Sequence, residues 1–193
     1  MGDKEEFMTR VTDLYRFEAI QGHLGWDQET IMPAKGAKAR GEILAWLAGQ
    51  RHSRLIDGEM GELISNLEGG DHDDYFNANL KEMRRKYDEA VKLPTEFVSE
   101  FTKARSEALI AWQKARGESD FSQFAPHLQN LIDLTRQKID YLGCENTPYD
   151  VLLDEYEVGM TVEDYDPLFA GLKSRLVPLL SKIMQSDVVI PRL

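Results

Sequence analysis

Metal-assisted hydrolysis is the chemistry most easily tested against a sequence, because its ligands need fixed spacing on a helix. The four histidines are His23, His52, His72 and His127. No two stand four residues apart, so a His-Glu-x-x-His pair is absent. None has a glutamate three residues before it, which removes the carboxylate di-metal pattern of helix bundles. Cys144 is the single cysteine, so there is neither a thiol pair for zinc nor an internal disulfide. No Gly-x-Ser-x-Gly elbow is present, and no phosphate-cradling loop ends in Lys-Ser or Lys-Thr.

Weaker constellations remain. His23 and Asp27 are four apart, which supplies two of the three or four ligands a zinc site takes, or simply a helix-end histidine beside a carboxylate. Asp150, Asp154, Glu155, Glu157, Glu163, Asp164 and Asp166 gather acid between positions 150 and 166. That cluster reads either as a cleft wall for a substrate or basic partner, or as a solvated face whose acids stabilise a helix N-terminus. The run Lys81 to Lys86 reads as a solvent-facing helix surface with ion pairs. The octet Trp26-Asp27-Gln28-Glu29-Thr30-Ile31-Met32-Pro33 holds an indole, two acids, an amide and a helix-stopping proline. A buried or cleft-lining corner is expected there, with Trp26 anchored in the core, since an indole combines a large apolar area with one N–H that wants a partner.

The elements that must position these groups are helical. Phe7, Val11, Leu14, Tyr15 and Ala19 recur at helical spacing from about Lys4 to Leu24, with an end expected near Gly22 or Gly25. A second helix is expected over Ala34 to Leu55, with Ile43, Leu44, Leu47 and Ala48 inward. Asp57 should cap a third, which runs to Leu67 on Met60, Leu63, Ile64 and Leu67. A charged helix follows from Asp73 to Val91. The next, Thr95 to Arg116, carries Phe97, Phe101, Ala104, Ala108, Ala111, Trp112 and Ala115 on one face. Its alanines would let a neighbouring helix come close. Another runs from Ser119 or Asp120 to Leu142, its first turn marked by Pro126. A short helix spans Tyr149 to Tyr156. The last runs from Val162 to Gln185, with Thr161 and Asp164 as a capping pair and a kink or break expected at Pro178. Alternation suggesting a strand is confined to Val188-Val189-Ile190. The fold class is therefore all-α, a bundle-like array of about seven or eight helices. Residues 1–193 are expected to form a single helical domain, with 187–193 as a frayed tail.

A chain of 193 residues is long enough for one sizeable core. Its net charge of −11 argues against a nucleic-acid surface and against anionic membranes. The acidic start, with no apolar run after it, does not read as a secretory signal. With a lone cysteine, the expected setting is the cytoplasm.

The octet is similar to the Trp-Asp-Gln-x-Thr-x-Met-Pro stretch of the carboxypeptidase Taq family of metallocarboxypeptidases. Ala37-x-Ala39-Arg40 and Leu44-x-x-Leu47-Ala48-Gly49 resemble that family too. So do Phe121-x-x-Phe124-Ala125-Pro126-His127-Leu128 and Pro148-Tyr149-Asp150-x-Leu152-Leu153-Asp154-Glu155-Tyr156-Glu157-x-Gly159-Met160. The resemblance implies a helical enzyme, cytoplasmic and commonly dimeric, that removes C-terminal residues from peptide substrates. It also implies a zinc or cobalt ion in the full-length enzyme, held by His-Glu-x-x-His and a further Glu. This chain has no such motif, so the resemblance transfers no catalytic or metal residue, and no cofactor is expected in this chain. It points to an N-terminal portion, a fragment or a short relative, that is inactive alone. Surface left open by the short length could serve self-association as a homodimer. Asp27, Gln28, Tyr149, Asp154, Glu155 and Tyr156 are the expected cleft-facing or cleft-supporting residues. The competing expectations are a stand-alone helical module that binds a peptide or a partner helix, and a metal-dependent activity assembled between subunits with His23 and Asp27 contributing.

Overall fold

The computed structural model describes residues 2–188. Its contacts divide the chain into two compact units, Met1–Leu142 and Gly143–Leu193. The first holds α1 (Asp3–Thr30), α2 (Ala37–Leu55), α3 (Gly58–Leu67), α4 (Asp74–Ala90), α5 (Thr95–Glu118) and α6 (Ala125–Leu142). The second holds α7 (Pro148–Leu153) and α8 (Val162–Met184). Among the described residues there is no strand, and the all-α expectation holds. Of the expected Val188–Ile190 strand and the 187–193 tail, residues 189–193 lie outside the described residues; Asp187 and Val188 are non-helical. No described helix is long and apolar enough to cross a membrane.

The core of the first unit lies where the apolar stripes of α1, α3 and α4 meet the end of α2. Phe7, Met60 and Ile64 are fully buried there, with Val11, Leu14, Leu55, Leu67, Leu80 and Met83 around them. Phe7 meets Phe76 edge-on at a centroid distance of 5.5 Å, the offset geometry that aromatic pairs prefer. Capping sets the entry of both short partners. Asp57 Oδ1 accepts the Glu59 N–H at 2.9 Å, and Asp73 Oδ1 accepts the Phe76 N–H at 2.8 Å. A smaller cluster joins α5 to α6 through Phe97, Ala104 and Leu134.

Several boundaries differ from the sequence reading. α1 does not stop at Gly22 or Gly25 but continues to Thr30. A helical glycine costs only about 1 kcal/mol, and neither position adopts a positive φ, so nothing terminates the helix there. Pro33 does, because proline disfavours a helical conformation in the residue before it. The octet is thus mainly the last turns of α1 rather than a corner, and Trp26 is 62% exposed instead of core. On α2 the buried row is Gly41, Ala45, Ala48, Gly49, His52 and Leu55, with Leu47; Ile43 and Trp46 face outward. α5 passes Gly117 and ends where Ser119 takes a left-handed φ of 54°. α6 starts at Ala125 and carries Pro126 harmlessly in its first turn, as expected. α7 is shorter than expected, and α8 runs unbroken through Pro167 and Pro178.

α2 and α5 share the most extensive helix contact in the molecule. Gly41 lies against Ser106, Gly49 against Ser99 and His52 against Thr95, so the two helices run antiparallel. A Cβ on Gly49 would sit 2.5 Å from the Ser99 hydroxyl. Hydrogen in place of a side chain is what allows this approach.

Candidate functional site

Residues 26 to 30 share one helix, and successive positions turn by about 100°, so neighbours in the sequence face different partners. Trp26 points outward. Asp27 turns to α2, where Arg40 Nη2 donates to its Oδ2 at 2.6 Å while Arg40 Nη1 donates to the Leu24 carbonyl at 2.5 Å. The Arg40 side chain is only 16% exposed, so this pair is partly desolvated and ties α1 to α2. Gln28 turns to α5 and is buried; its Oε1 accepts a hydrogen bond from the Ser106 hydroxyl at 3.1 Å.

Gln28 and Ser106 also line an open pocket of about 520 Å³ formed by α1, α2, α5, α6 and the segment that leads into α6. Trp112, Phe124, Leu44 and Leu131 supply its apolar walls, and Arg105 and Glu29 supply its charge. Mostly apolar walls with a few convergent polar groups suit the binding of a side chain or small ligand. Of the residues singled out from sequence, Gln28 lies in this pocket, whereas Asp27 is committed to Arg40. Ser106 and Arg105 were not anticipated. The signal for Ser106 was faint: Ser99, Thr102 and Ser106 form a small polar row, spaced three and four apart, within an alanine-rich helix.

The acidic stretch belongs to the second unit. Asp150 accepts the Thr147 N–H at 3.2 Å on one oxygen and the Val162 N–H at 2.7 Å on the other, joining the start of α7 to the start of α8. Asp154 accepts the Gly159 N–H at 2.8 Å and so closes the turn in which Gly159 has a φ of 81°. Asp164 forms a capping box with Thr161. The Val162 N–H, aided by Thr147, holds the Asp150 carboxyl below its ordinary range, and the Thr161 hydroxyl and N–H do the same for Asp164. These acids therefore build helix ends. Tyr149 and Tyr156 are 60% and 84% exposed, and Glu155 is exposed beside them.

A resident metal does not fit these residues. Among those described, no three or more His, Cys, Asp or Glu side chains come together in a way that could hold an ion. His23 is exposed, and its nearest sequence carboxylate, Asp27, is held by Arg40. The buried histidine is His52. Its Nε2 lies 3.0 Å from the Ala90 carbonyl, which can only accept, so Nε2 carries the proton and Nδ1 accepts from the Thr95 hydroxyl at 3.0 Å. Burial, with Arg51 adding to it, pushes the His52 pKa below its ordinary value. It is a neutral bracket between α2, the end of α4 and the start of α5.

Sequence and fold comparisons agree with this helical frame. The model of the carboxypeptidase Taq (M32) metallopeptidase family matches residues 6–192. Thermostable carboxypeptidase 1 of Pyrococcus furiosus is 32% identical over 186 residues, covering 96% of this chain and 37% of the relative. Carboxypeptidase 1 of Bacillus subtilis is likewise 32% identical, covering 95% of this chain and 37% of its own length. Among solved structures, that of BsuCP superimposes with a TM-score of 0.93 at 31% identity over 97% of this chain and 38% of the other. Metallocarboxypeptidase 1 of Trypanosoma cruzi gives 0.75 at 34% identity, over 98% of this chain and 40% of the other. The chain thus spans well under half the length of each of these proteins.

Proposed function

The chain belongs to the carboxypeptidase Taq (M32) metallopeptidase family, and we propose that it forms the N-terminal helical portion of a metal-dependent carboxypeptidase that releases C-terminal residues from peptides. What carries this reading is a likeness that holds in sequence and in fold over nearly the whole chain. A metal ion in such an enzyme supplies a polarised carbonyl and an activated water. No described residue of this chain is assigned a part in that step, because the described side chains do not fit a metal site.

The role left to this chain is architectural, and alone it is inactive. Asp27, through Arg40, and Gln28, through Ser106, support one wall of the substrate cleft by fixing the end of α1. Asp154 shapes the turn after α7, and the exposed Tyr149, Glu155 and Tyr156 face the peptide.

The test uses one peptide with a free C-terminus and the same peptide amidated, each incubated with the pure chain and zinc or cobalt. No chelator-sensitive release of the C-terminal residue is expected. Release from the free peptide alone would show that this chain assembles a metal centre, and would overturn the architectural role. The pocket favours a second reading, a stand-alone peptide-binding module, because apolar walls beside a buried amide can hold a peptide side chain. Saturable quenching of tryptophan fluorescence by peptides, lost in Trp112→Leu, would establish it.

A further inference from the structure

We propose that α8 is a docking helix for an acidic-flanked amphipathic helix from the part of a family enzyme that this chain does not span. The observation is a period. Tyr165, Phe169, Leu172, Leu176, Leu179 and Ile183 follow one another at spacings of four, three, four, three and four. That is an unbroken heptad seam, with Phe169, Leu176 and Ile183 at the a positions and Tyr165, Leu172 and Leu179 at d. Phe169, Leu172, Leu176, Leu179 and Ile183 are each between 46% and 59% exposed, and α8 has no buried residue. Leu176, Leu179, Leu180 and Ile183, with Val177, enclose a shallow apolar recess on the helix surface. Two successive a residues with the intervening d and e residues are the four that form a hole for a knob of a facing helix. The seam is thus shaped for a helix rather than for an extended peptide.

Charge identifies the occupant. Along the seam from Tyr165 to Ile183 the charged residues at the flanking e and g positions are Asp166, beside Tyr165, and then Lys173, Arg175 and Lys182, so the rim is basic from Lys173 onward. The chain as a whole carries −11, so this basic rim is a local exception. A second α8 packed antiparallel would set Arg175 against Arg175 and Lys173 against Lys173, like charges that oppose pairing. A helix with apolar heptads and acidic flanks satisfies both seam and rim. Its source follows from length: the BsuCP structure has 38% of its chain in the part matched here, so most of that fold lies outside the match. The inference rests on the reading of this chain as a portion of a larger enzyme, but concerns a surface that the reading does not use.

The test measures binding of two designed helical peptides of equal length to the chain. Both carry Leu at a and d; one carries Glu and the other Lys at e and g. The Glu peptide is expected to bind at least about tenfold more tightly, with the difference shrinking in high salt. Reversing the rim in a Lys173→Glu/Arg175→Glu/Lys182→Glu variant should invert the preference, and Leu176→Asp should abolish both interactions. Since these positions are exposed, retained circular dichroism and an unchanged unfolding midpoint confirm that the variants fold. Overlapping peptides covering the unmatched part of Bacillus subtilis carboxypeptidase 1 then address the source. Capture of an acidic-flanked segment, lost in the charge-reversed variant, is expected. Equal binding of both designed peptides, binding of neither, or capture of no segment would overturn the proposal. So would light scattering that shows a dimer of this chain abolished by Leu176→Asp, which would make a second copy the occupant. Failure here leaves the family reading standing, because that reading is tested by peptide hydrolysis.

Discussion

α5 and α8 are nearly equal in length, 24 and 23 residues, and are built on opposite plans. α5 buries Ala104, Ser106, Ala108 and Ala115 beside a single large residue, Phe97. α8 carries a full seam of Phe, Leu and Ile and buries nothing. Apolarity alone therefore does not place a helix in the core of this protein. Short side chains let α5 and α2 bring their backbones together, so that many weak dispersion contacts accumulate over the length of both helices. Long side chains give the same return only against a surface with matching holes.

That contrast can be broken at five places, taken from the largest effect to the smallest. Phe7→Ala removes a fully buried ring from the α1–α3–α4 core, and a loss of about 3–5 kcal/mol is expected in denaturant unfolding. A loss below about 1 kcal/mol would show that the core collapses around the gap. Gly49→Val drives a branched side chain into Ser99 across the α2–α5 seam, at a cost of about 1–3 kcal/mol. Adding Ser99→Gly should recover part of that loss; a double variant no more stable than the single would separate the effect from close approach. Ser106→Ala leaves the buried Gln28 carbonyl without its donor and should cost about 1–3 kcal/mol, while Gln28→Leu together with Ser106→Ala should be milder. Trp26→Ala and Leu172→Ser, on exposed positions, should each stay within about 0.5 kcal/mol. A larger loss at Leu172 would mean that α8 already has a partner in the free chain.

The seam also predicts a pH dependence. Folded His52 has a lowered pKa, so below about pH 6.5 the unfolded chain takes up a proton that the folded chain refuses. Its stabilising contribution is present above that pH and declines as the pH falls toward the folded value. The denaturation midpoint should therefore drop as the pH falls below about 6.5, and the slope should flatten in His52→Gln. The carboxylates held low by hydrogen bonds, among them Asp73, Asp120, Asp150 and Asp164, act in a lower window, where acid protonates them. A slope identical in wild type and variant would remove His52 from the account.

Much of the fold was legible because its signals are local. The stripe Met60, Leu63, Ile64 and Leu67, the Asp57 cap and the Thr161–Asp164 box all lie within a few residues of what they control. The site was far less legible. Asp27 and Gln28 were both singled out, yet their neighbours in the sequence do not say that one meets Arg40 and the other Ser106. Ser106 lies 78 positions from Gln28, and a hydroxyl among alanines carries no local mark of the contact. Trp26 misled for the same reason. An indole's preference for burial is a statement about partners, and the turn of α1 presents it to none.

The sequence by itself determined the helical class, most helix ends and membership of a metallopeptidase family, because periodicity, caps and ordered motifs are written in consecutive residues. Only the tertiary structure decided which faces are buried. It put Gly41 and Gly49 against α5, enclosed His52 as a neutral bracket and assigned Asp150, Asp154 and Asp164 to helix ends and turns. It also left the apolar seam of α8 uncovered. Burial depends on the distance between helices and on the volume of the side chains that meet there, and no stretch of chain specifies either alone.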